Sequence, residues 1–159
     1  MKSRALRWPE IDLDAKLITL SSARTKNGLE HRIPLASEAT AILRSCNPHR
    51  DLVFGIGQDG YSGWSKSKTA LDTACGVKGW TLHDLRRTAA TGMADLGVQP
   101  HVIEAVLNHI SGHKAGVAGT YNRSTYAAEK KAALDLWASH LNVAIAKANG
   151  ANVTSIRRA

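Results

Sequence analysis

Cysteine is scarce in this chain, and apolar runs long enough to cross a membrane are missing. The two cysteines, Cys46 and Cys75, stand far apart with no Cys-x-x-Cys spacing. This argues against a zinc ribbon and a disulfide scaffold, and it suits a reducing compartment. The N-terminus carries positive charge but no apolar segment follows it, so we expect no secretory signal peptide. These absences predict a cytoplasmic protein with no membrane partner.

What the sequence has instead is an ordinary apolar content and an excess of positive charge. Its 159 residues, of which 43% are hydrophobic, fit one domain with a real core. The formal net charge is +8 at pH 7, and the sequence pI is about 9.8. Such a balance indicates a polyanionic partner, and nucleic acid is the commonest partner of this kind.

The first third of the chain has the pattern of a small β-sheet. Apolar runs at 17–20 and 32–35 flank Thr-Lys-Asn-Gly at 25–28, and Asn-Gly is the strongest short signal for a hairpin. An earlier strand around 5–8 or Ile11 would complete a three-stranded antiparallel sheet. Pro34 has no amide to donate, so its strand should lie at an edge or end near it.

The rest of the chain has helical patterns with clear start and stop signals. Ser37 can cap a helix over 39–43, and Thr81 with Asp84 makes a capping box for a helix that ends before Gly97. Pro100 begins a short helix that ends near position 109. We expect further helices at 64–74, after a glycine-rich loop at 55–63, and at 125–148, after a second such loop at 111–119. The fold class is therefore α+β, mostly α, with a small N-terminal sheet.

His83 and Arg86 are the first residues that suggest chemistry. They are three apart and so share one face of their helix. The helix N-terminus adds partial positive charge, which favours phosphate. The plainer interpretation is that both are solvated surface residues.

The order of the motifs that follow favours a functional interpretation. After Thr-Leu-His-Asp-Leu-Arg-Arg-Thr at 81–88 come Leu-Asn-His at 107–109 and Thr-Tyr-Asn-Arg at 120–123. Arginine and histidine can hold the oxygens of a phosphate, and a tyrosine hydroxyl can attack its phosphorus. Together with the Lys-Asn-Gly turn, this order resembles the tyrosine recombinases, among them the integrases of prophages and genomic islands.

The resemblance implies a tyrosine-recombinase catalytic domain and a role for each motif residue. Tyr121 would be the nucleophile that forms a 3′-phosphotyrosyl link and frees a 5′-hydroxyl. His83, Arg86 and His109 would hold the scissile phosphate, and Lys26 would protonate the departing oxygen. The substrate would be double-stranded DNA in a tetrameric synapse of identical subunits, with no metal or nucleotide cofactor. Four more basic residues are candidate contacts to the DNA backbone: Arg24, Arg87, Lys114 and Arg123.

Other interpretations stay open for several of these residues. Tyr126 is a rival nucleophile, although its position in the last helix favours packing. His109 and His113 could share a metal in a hydrolase, but Ser111 and Gly112 disfavour a helix there and no acidic or cysteine ligand is near. The apolar residues of the last helix form either core or a contact with a neighbouring subunit: Leu134, Trp137, Leu141 and Ile145.

One segment of the family pattern is missing from these residues. The family places its first catalytic arginine in Gly-x-Arg-x-x-Glu, shortly before a Leu-x-Trp that corresponds to Leu6 and Trp8. That arginine would fall just before Met1, and Arg4 lies in the wrong register. Because losing one preorganised donor typically costs roughly 10²–10³ in rate, we expect weak or no recombination. Residues 1–149 would then be a truncated catalytic domain, or a non-catalytic DNA-binding remnant, with a flexible tail at 150–159.

Overall fold

The computed structural model describes residues 5–55, 60–109 and 125–150. In these ranges the chain forms five α-helices and a three-stranded antiparallel sheet, so the predicted fold class is confirmed. The predicted loop at 111–119 and the tail from 151 onward lie outside the described residues. No helix within the described ranges is both long and apolar enough to cross a bilayer.

The sheet consists of β1 (Ile11–Asp12), β2 (Leu17–Leu20) and β3 (His31–Pro34), in that order. Ile18 in the middle strand pairs with Ile11 on one side and with Ile33 on the other. Pro34 ends the edge strand β3, where its missing amide breaks no ladder bond.

The first strand lies at the later of the two predicted positions. Residues 5–8 contribute only an isolated bridge from Arg7 to Leu52, and Trp8–Glu10 forms a 3-10 turn. Pro9 is the physical reason, because a proline cannot donate to a strand and its fixed φ suits the first turn of a helix.

The connection between β2 and β3 is longer than the two-residue hairpin that Asn-Gly predicts. It runs over 21–30 and begins with the 3-10 turn Ser22–Arg24. The buried Thr25 closes the loop on itself, since its hydroxyl lies 2.6 Å from the Leu29 carbonyl and 3.0 Å from that of Ser22. Gly28 has φ +68°, so the predicted turn chemistry is present inside a larger loop.

The helices begin and end close to the predicted positions. They are α1 (Ser37–Ser45), α2 (Trp64–Cys75), α3 (Leu82–Asp95), α4 (Pro100–Leu107) and α5 (Ala127–Ala148). The capping role predicted for Ser37 is wrong, because Ser37 is already the first helical residue and Ala36 precedes it without a side-chain cap. The capping box at the start of α3 and the proline at the start of α4 are confirmed.

Two apolar clusters hold the fold together, and α5 connects them. One cluster packs the sheet on α1 and the other packs α3 and α4 on α5: Leu6, Leu20, Leu35, Leu43 and Val53 form the first, and Met93, Val102, Ile103 and Ala133 form the second. The buried Lys130 of α5 donates to the Arg32 carbonyl of β3 at 2.6 Å. Helix α5 therefore fixes the sheet relative to α3 and α4.

Candidate functional site

The start of α3 is fixed by its capping box. The Thr81 amide and hydroxyl each lie 2.8 Å from Asp84 Oδ2. The hydrogen bond from the Thr81 amide, followed by that from its hydroxyl, lowers the pKa of the Asp84 carboxyl, and the charges of Arg87 and His83 act in the same direction. The box sets where α3 begins, and so it sets the direction of the exposed His83 and Arg86 on its first turns.

Arg86 joins α3 to the C-terminal end of α4. Its Nη2 donates to the Leu107 carbonyl at 2.6 Å. The last carbonyls of a helix have no partner within it, and they carry partial negative charge, so a guanidinium satisfies them well. Arg86 remains exposed, which leaves the rest of its donor fork open to a ligand.

Asn108 ends α4 and turns the chain toward His109. Its backbone is left-handed, at φ 52° and ψ 40°, a conformation that asparagine tolerates better than most residues. The His109 amide then returns to the Glu104 carbonyl at 2.9 Å. The exposed His109 therefore leaves the helix beside the carbonyl that Arg86 binds.

The connection between β2 and β3 reaches the same place. Asn27 Nδ2 donates to Asn108 Oδ1 at 2.8 Å, and Lys26, the residue before Asn27, is exposed. The structure thus brings Arg86, His109 and the segment that contains Lys26 to the end of α4. His83 lies on the same face of α3 as Arg86, one turn earlier.

Arg24 and Arg87, two of the candidate DNA contacts, make ion pairs within the chain. Arg24 binds Glu10 at 2.7 and 3.2 Å and the Ala5 carbonyl at 2.5 Å. Burial alone would raise the pKa of Glu10, but the hydrogen bonds from Arg24 and the Arg7 amide outweigh it and hold that pKa below its usual value. The same hydrogen bond to Glu10 raises the pKa of Arg24.

Arg87 is less constrained than Arg24. It is exposed and lies 3.6 Å from Asp84, a pairing that contributes little in water. For both arginines the DNA contact stays a prediction.

The remaining predicted residues lie outside the described part of the chain. These are the proposed nucleophile, two candidate DNA contacts and the second histidine of the alternative metal site: Tyr121, Lys114, Arg123 and His113. Within residues 5–55, 60–109 and 125–150, no group of three or more His, Cys, Asp or Glu side chains is placed to hold a metal ion.

Tyr126, the rival nucleophile, lies just before α5 and not inside it as predicted. Its φ is +48°, and its ring centroid lies 5.0 Å from that of His101 on α4. The half-buried ring packs against α4, so Tyr126 has a packing contact although it lies outside the helix.

Comparison with known proteins identifies the family. The model of the Phage integrase family matches residues 2–128. This chain belongs to that family. The prophage integrase IntA of Escherichia coli (strain K12) is 32% identical over 143 residues, a match that covers 87% of this chain and 34% of the relative.

A solved integrase has the same fold. The integrase from mycobacterium phage Brujita matches with a TM-score of 0.66 at 15% identity, over 86% of this chain and 45% of that one. At this identity the likeness shows the fold alone. The chain spans about a third of the length of the curated relative and less than half of the solved integrase.

Sequence reasoning missed the contact between Asn27 and Asn108. The two residues are 81 positions apart, and no short-range pattern links such a pair. The one local signal is Asn108 itself, because asparagine tolerates the left-handed backbone that this residue adopts.

Proposed function

We propose that this chain binds double-stranded DNA and cuts and rejoins it, at a low rate, as a site-specific recombinase, in the cytoplasm and without a metal or nucleotide cofactor. The observations that support the proposal are the hydrogen bond from Arg86 to the Leu107 carbonyl, close to His109, and the Asn27–Asn108 contact next to Lys26. These contacts join three segments that are far apart in the sequence, and each segment carries an exposed side chain that can bind phosphate. Membership of the Phage integrase family supports the same function.

Arg86, His83 and His109 hold the scissile phosphate in this proposal. Their N–H groups donate to its non-bridging oxygens, and they stabilise the charge that develops as phosphorus becomes five-coordinate. The Leu107 carbonyl fixes Arg86, so less of its conformational freedom is lost when the phosphate binds.

Tyr121 and Lys26 carry the bond changes. The Tyr121 hydroxyl attacks phosphorus and releases its proton to water, the Oη–P bond forms, and the bond to the 5′-oxygen breaks. Lys26 donates a proton to that leaving oxygen. The product is a 3′-phosphotyrosyl link and a free 5′-hydroxyl, and attack by another 5′-hydroxyl reverses the sequence and rejoins the strand.

The wider DNA contact is electrostatic. The net charge of +8 attracts the DNA, and Arg24, Arg87, Lys114 and Arg123 are proposed backbone contacts, which position a protein without reading sequence. A tetramer of identical subunits assembled on two DNA sites is part of the same proposal.

Substitution of the nucleophile tests the proposal. Tyr121→Phe keeps the ring but removes the attacking oxygen, so it should abolish the covalent protein–DNA adduct and leave DNA binding unchanged. Tyr126→Phe is the matched control and should keep the adduct. If the adduct survived in Tyr121→Phe and disappeared in Tyr126→Phe, the nucleophile would be Tyr126.

A DNA-binding domain that does not cut is the second candidate. The excess of positive charge, a net +8, supports it, because it attracts DNA without requiring any residue that cuts. This candidate predicts binding whose logarithm falls linearly with the logarithm of salt concentration, and no adduct in either tyrosine variant or in the parent chain.

A further inference from the structure

Two asparagine side chains join the β2–β3 connection to the end of α4. Asn27 Nδ2 donates to Asn108 Oδ1 at 2.8 Å, and the return contact from Asn108 Nδ2 to Asn27 Oδ1 measures 3.5 Å. Both residues are half-buried, where water competes less for the hydrogen bond. Each is the direct chain neighbour of a residue assigned to the chemistry.

We propose that the Asn27–Asn108 pair is a positioning device that sets Lys26 and His109 at a fixed separation on one phosphate. The proposal rests on the function proposed above and adds two residues to it. Neither asparagine touches the reacting atoms, and each acts through its neighbour.

Lys26 needs such a device because its connection is long. Thr25, on one side, is fixed by its two hydroxyl contacts within the loop. On the other side, Asn27 is fixed to Asn108. The backbone at Lys26 is therefore held at both flanks while its side chain stays exposed. A general acid held in this way is oriented before the substrate arrives.

The same contact acts on His109 through the backbone. Asn108 holds the left-handed turn from which His109 leaves α4. Glycine adopts this conformation without strain, so Asn108→Gly removes the amide contact and keeps the turn. Asn27→Ala removes the same contact from the Asn27 side. The Asn27 Oδ1 atom also accepts the Leu29 amide at 3.2 Å, so the Asn108 variant is the cleaner of the two.

The first test needs no DNA cleavage. In the parent chain the backbone amide of Lys26 should have an NMR order parameter of about 0.85, and in Asn108→Gly it should fall below about 0.6. A double-mutant cycle on the folding equilibrium should give a coupling of about fivefold between positions 27 and 108. Asn142→Ala, which removes an exposed asparagine that bonds Glu38, is the control and should change neither quantity.

The second test separates positioning from general destabilisation. In a DNA substrate with a 5′-bridging phosphorothiolate, sulfur replaces the 5′-oxygen that leaves on cleavage. The 5′ fragment then leaves as a thiolate and needs no proton, because a thiol is far more acidic than an alcohol. On an ordinary phosphodiester, Asn27→Ala and Asn108→Gly should each slow cleavage by about 10- to 100-fold, and the double variant should be no slower than the singles. On the phosphorothiolate, Asn27→Ala should lose less of the parent rate than on the phosphodiester, because only its effect on Lys26 is bypassed.

The results of these two tests decide whether the Asn27–Asn108 pair positions Lys26. An unchanged Lys26 order parameter, or equal loss on both substrates in Asn27→Ala, would overturn the positioning role. If the parent chain cuts neither substrate, the proposed function fails, and the NMR and coupling measurements alone then decide whether the pair orders Lys26. Additive effects of the two substitutions would show that each asparagine serves only its own turn.

Discussion

Gly92 allows α3 to pack closely on α5, and an added methyl group there should destabilise the protein. A Cβ at position 92 would lie 2.8 Å from Trp137 Cη2 and closer still to Cζ3 of the same ring. Overpacking of this kind typically costs about 1–3 kcal/mol, whereas alanine gains about 1 kcal/mol over glycine within a helix. Because two ring atoms lie within 3 Å of the added carbon, overpacking should outweigh the helix-propensity gain, with a net loss of up to about 2 kcal/mol.

The assay is thermal unfolding followed by circular dichroism. For a chain of this size a loss of 1 kcal/mol lowers the Tm by about 2–4 °C, so Gly92→Ala should lower it by up to about 8 °C. The α3 helix carries His83 and Arg86, so the same variant should also shift the NMR signals of those two residues.

Trp137→Leu supplies the matched background, since it removes the ring atoms that the methyl group would meet. In that background Gly92→Ala should instead raise stability by about 1 kcal/mol, the helix-propensity gain alone. The reasoning is refuted if Gly92→Ala stabilises the parent chain, or if its effect has the same sign and size in both backgrounds.

Three further outcomes follow from the described contacts. Lys130→Met should lower the free energy of unfolding by about 1–3 kcal/mol, because the Arg32 carbonyl loses its charged donor. Burial would raise the pKa of Glu10, but hydrogen bonds from Arg24 and the Arg7 amide lower it below its usual value. The ionised Glu10 therefore stabilises the fold above its unfolded-state pKa, and this stabilisation is lost as the pH falls through its folded-state pKa. In Glu10→Gln, the free energy of unfolding, measured by urea titration, should therefore fall less than in the parent chain as the pH drops below 4.5. Arg87→Ala should weaken DNA binding on all sequences alike and reduce the salt slope by about 1.

Local chemistry made much of the fold predictable. Thr81 and Asp84 are three residues apart, and their capping box forms where the sequence places it. Pro100 begins α4, and Asn108 takes the left-handed backbone that ends it. Signals of this kind act within one turn of a helix, so the sequence alone carries them.

The errors have equally local causes. Ser37 was a reasonable cap by residue type, but the preceding Ala36 already has the extended backbone of the capping position. The Asn-Gly signal marked a real turn, yet the buried Thr25 organises a longer loop around it. Of the two positions predicted for the first strand, the one at Ile11 is confirmed, and the 3-10 turn Trp8–Glu10, which Pro9 favours, precedes it.

The candidate site residues Lys26, Arg86 and His109 were named from short motifs, and their roles stay a prediction. The contacts around them could not be predicted from the sequence. They are the hydrogen bond from Arg86 to the Leu107 carbonyl and an asparagine pair that joins distant segments. Such contacts depend on tertiary packing, which periodicity and capping signals do not encode.

Trapping the covalent intermediate tests the central claim most directly. The chain is incubated with a pool of labelled, nicked DNA duplexes of randomised sequence, from which a short 5′-hydroxyl fragment dissociates after cleavage and leaves the protein attached. Denaturing electrophoresis detects the adduct, and mass spectrometry of the digested protein locates it. The account predicts a nucleotide linked through its 3′-phosphate to Tyr121. A parent chain that binds the duplexes but forms no adduct, or forms one at another residue, would contradict it.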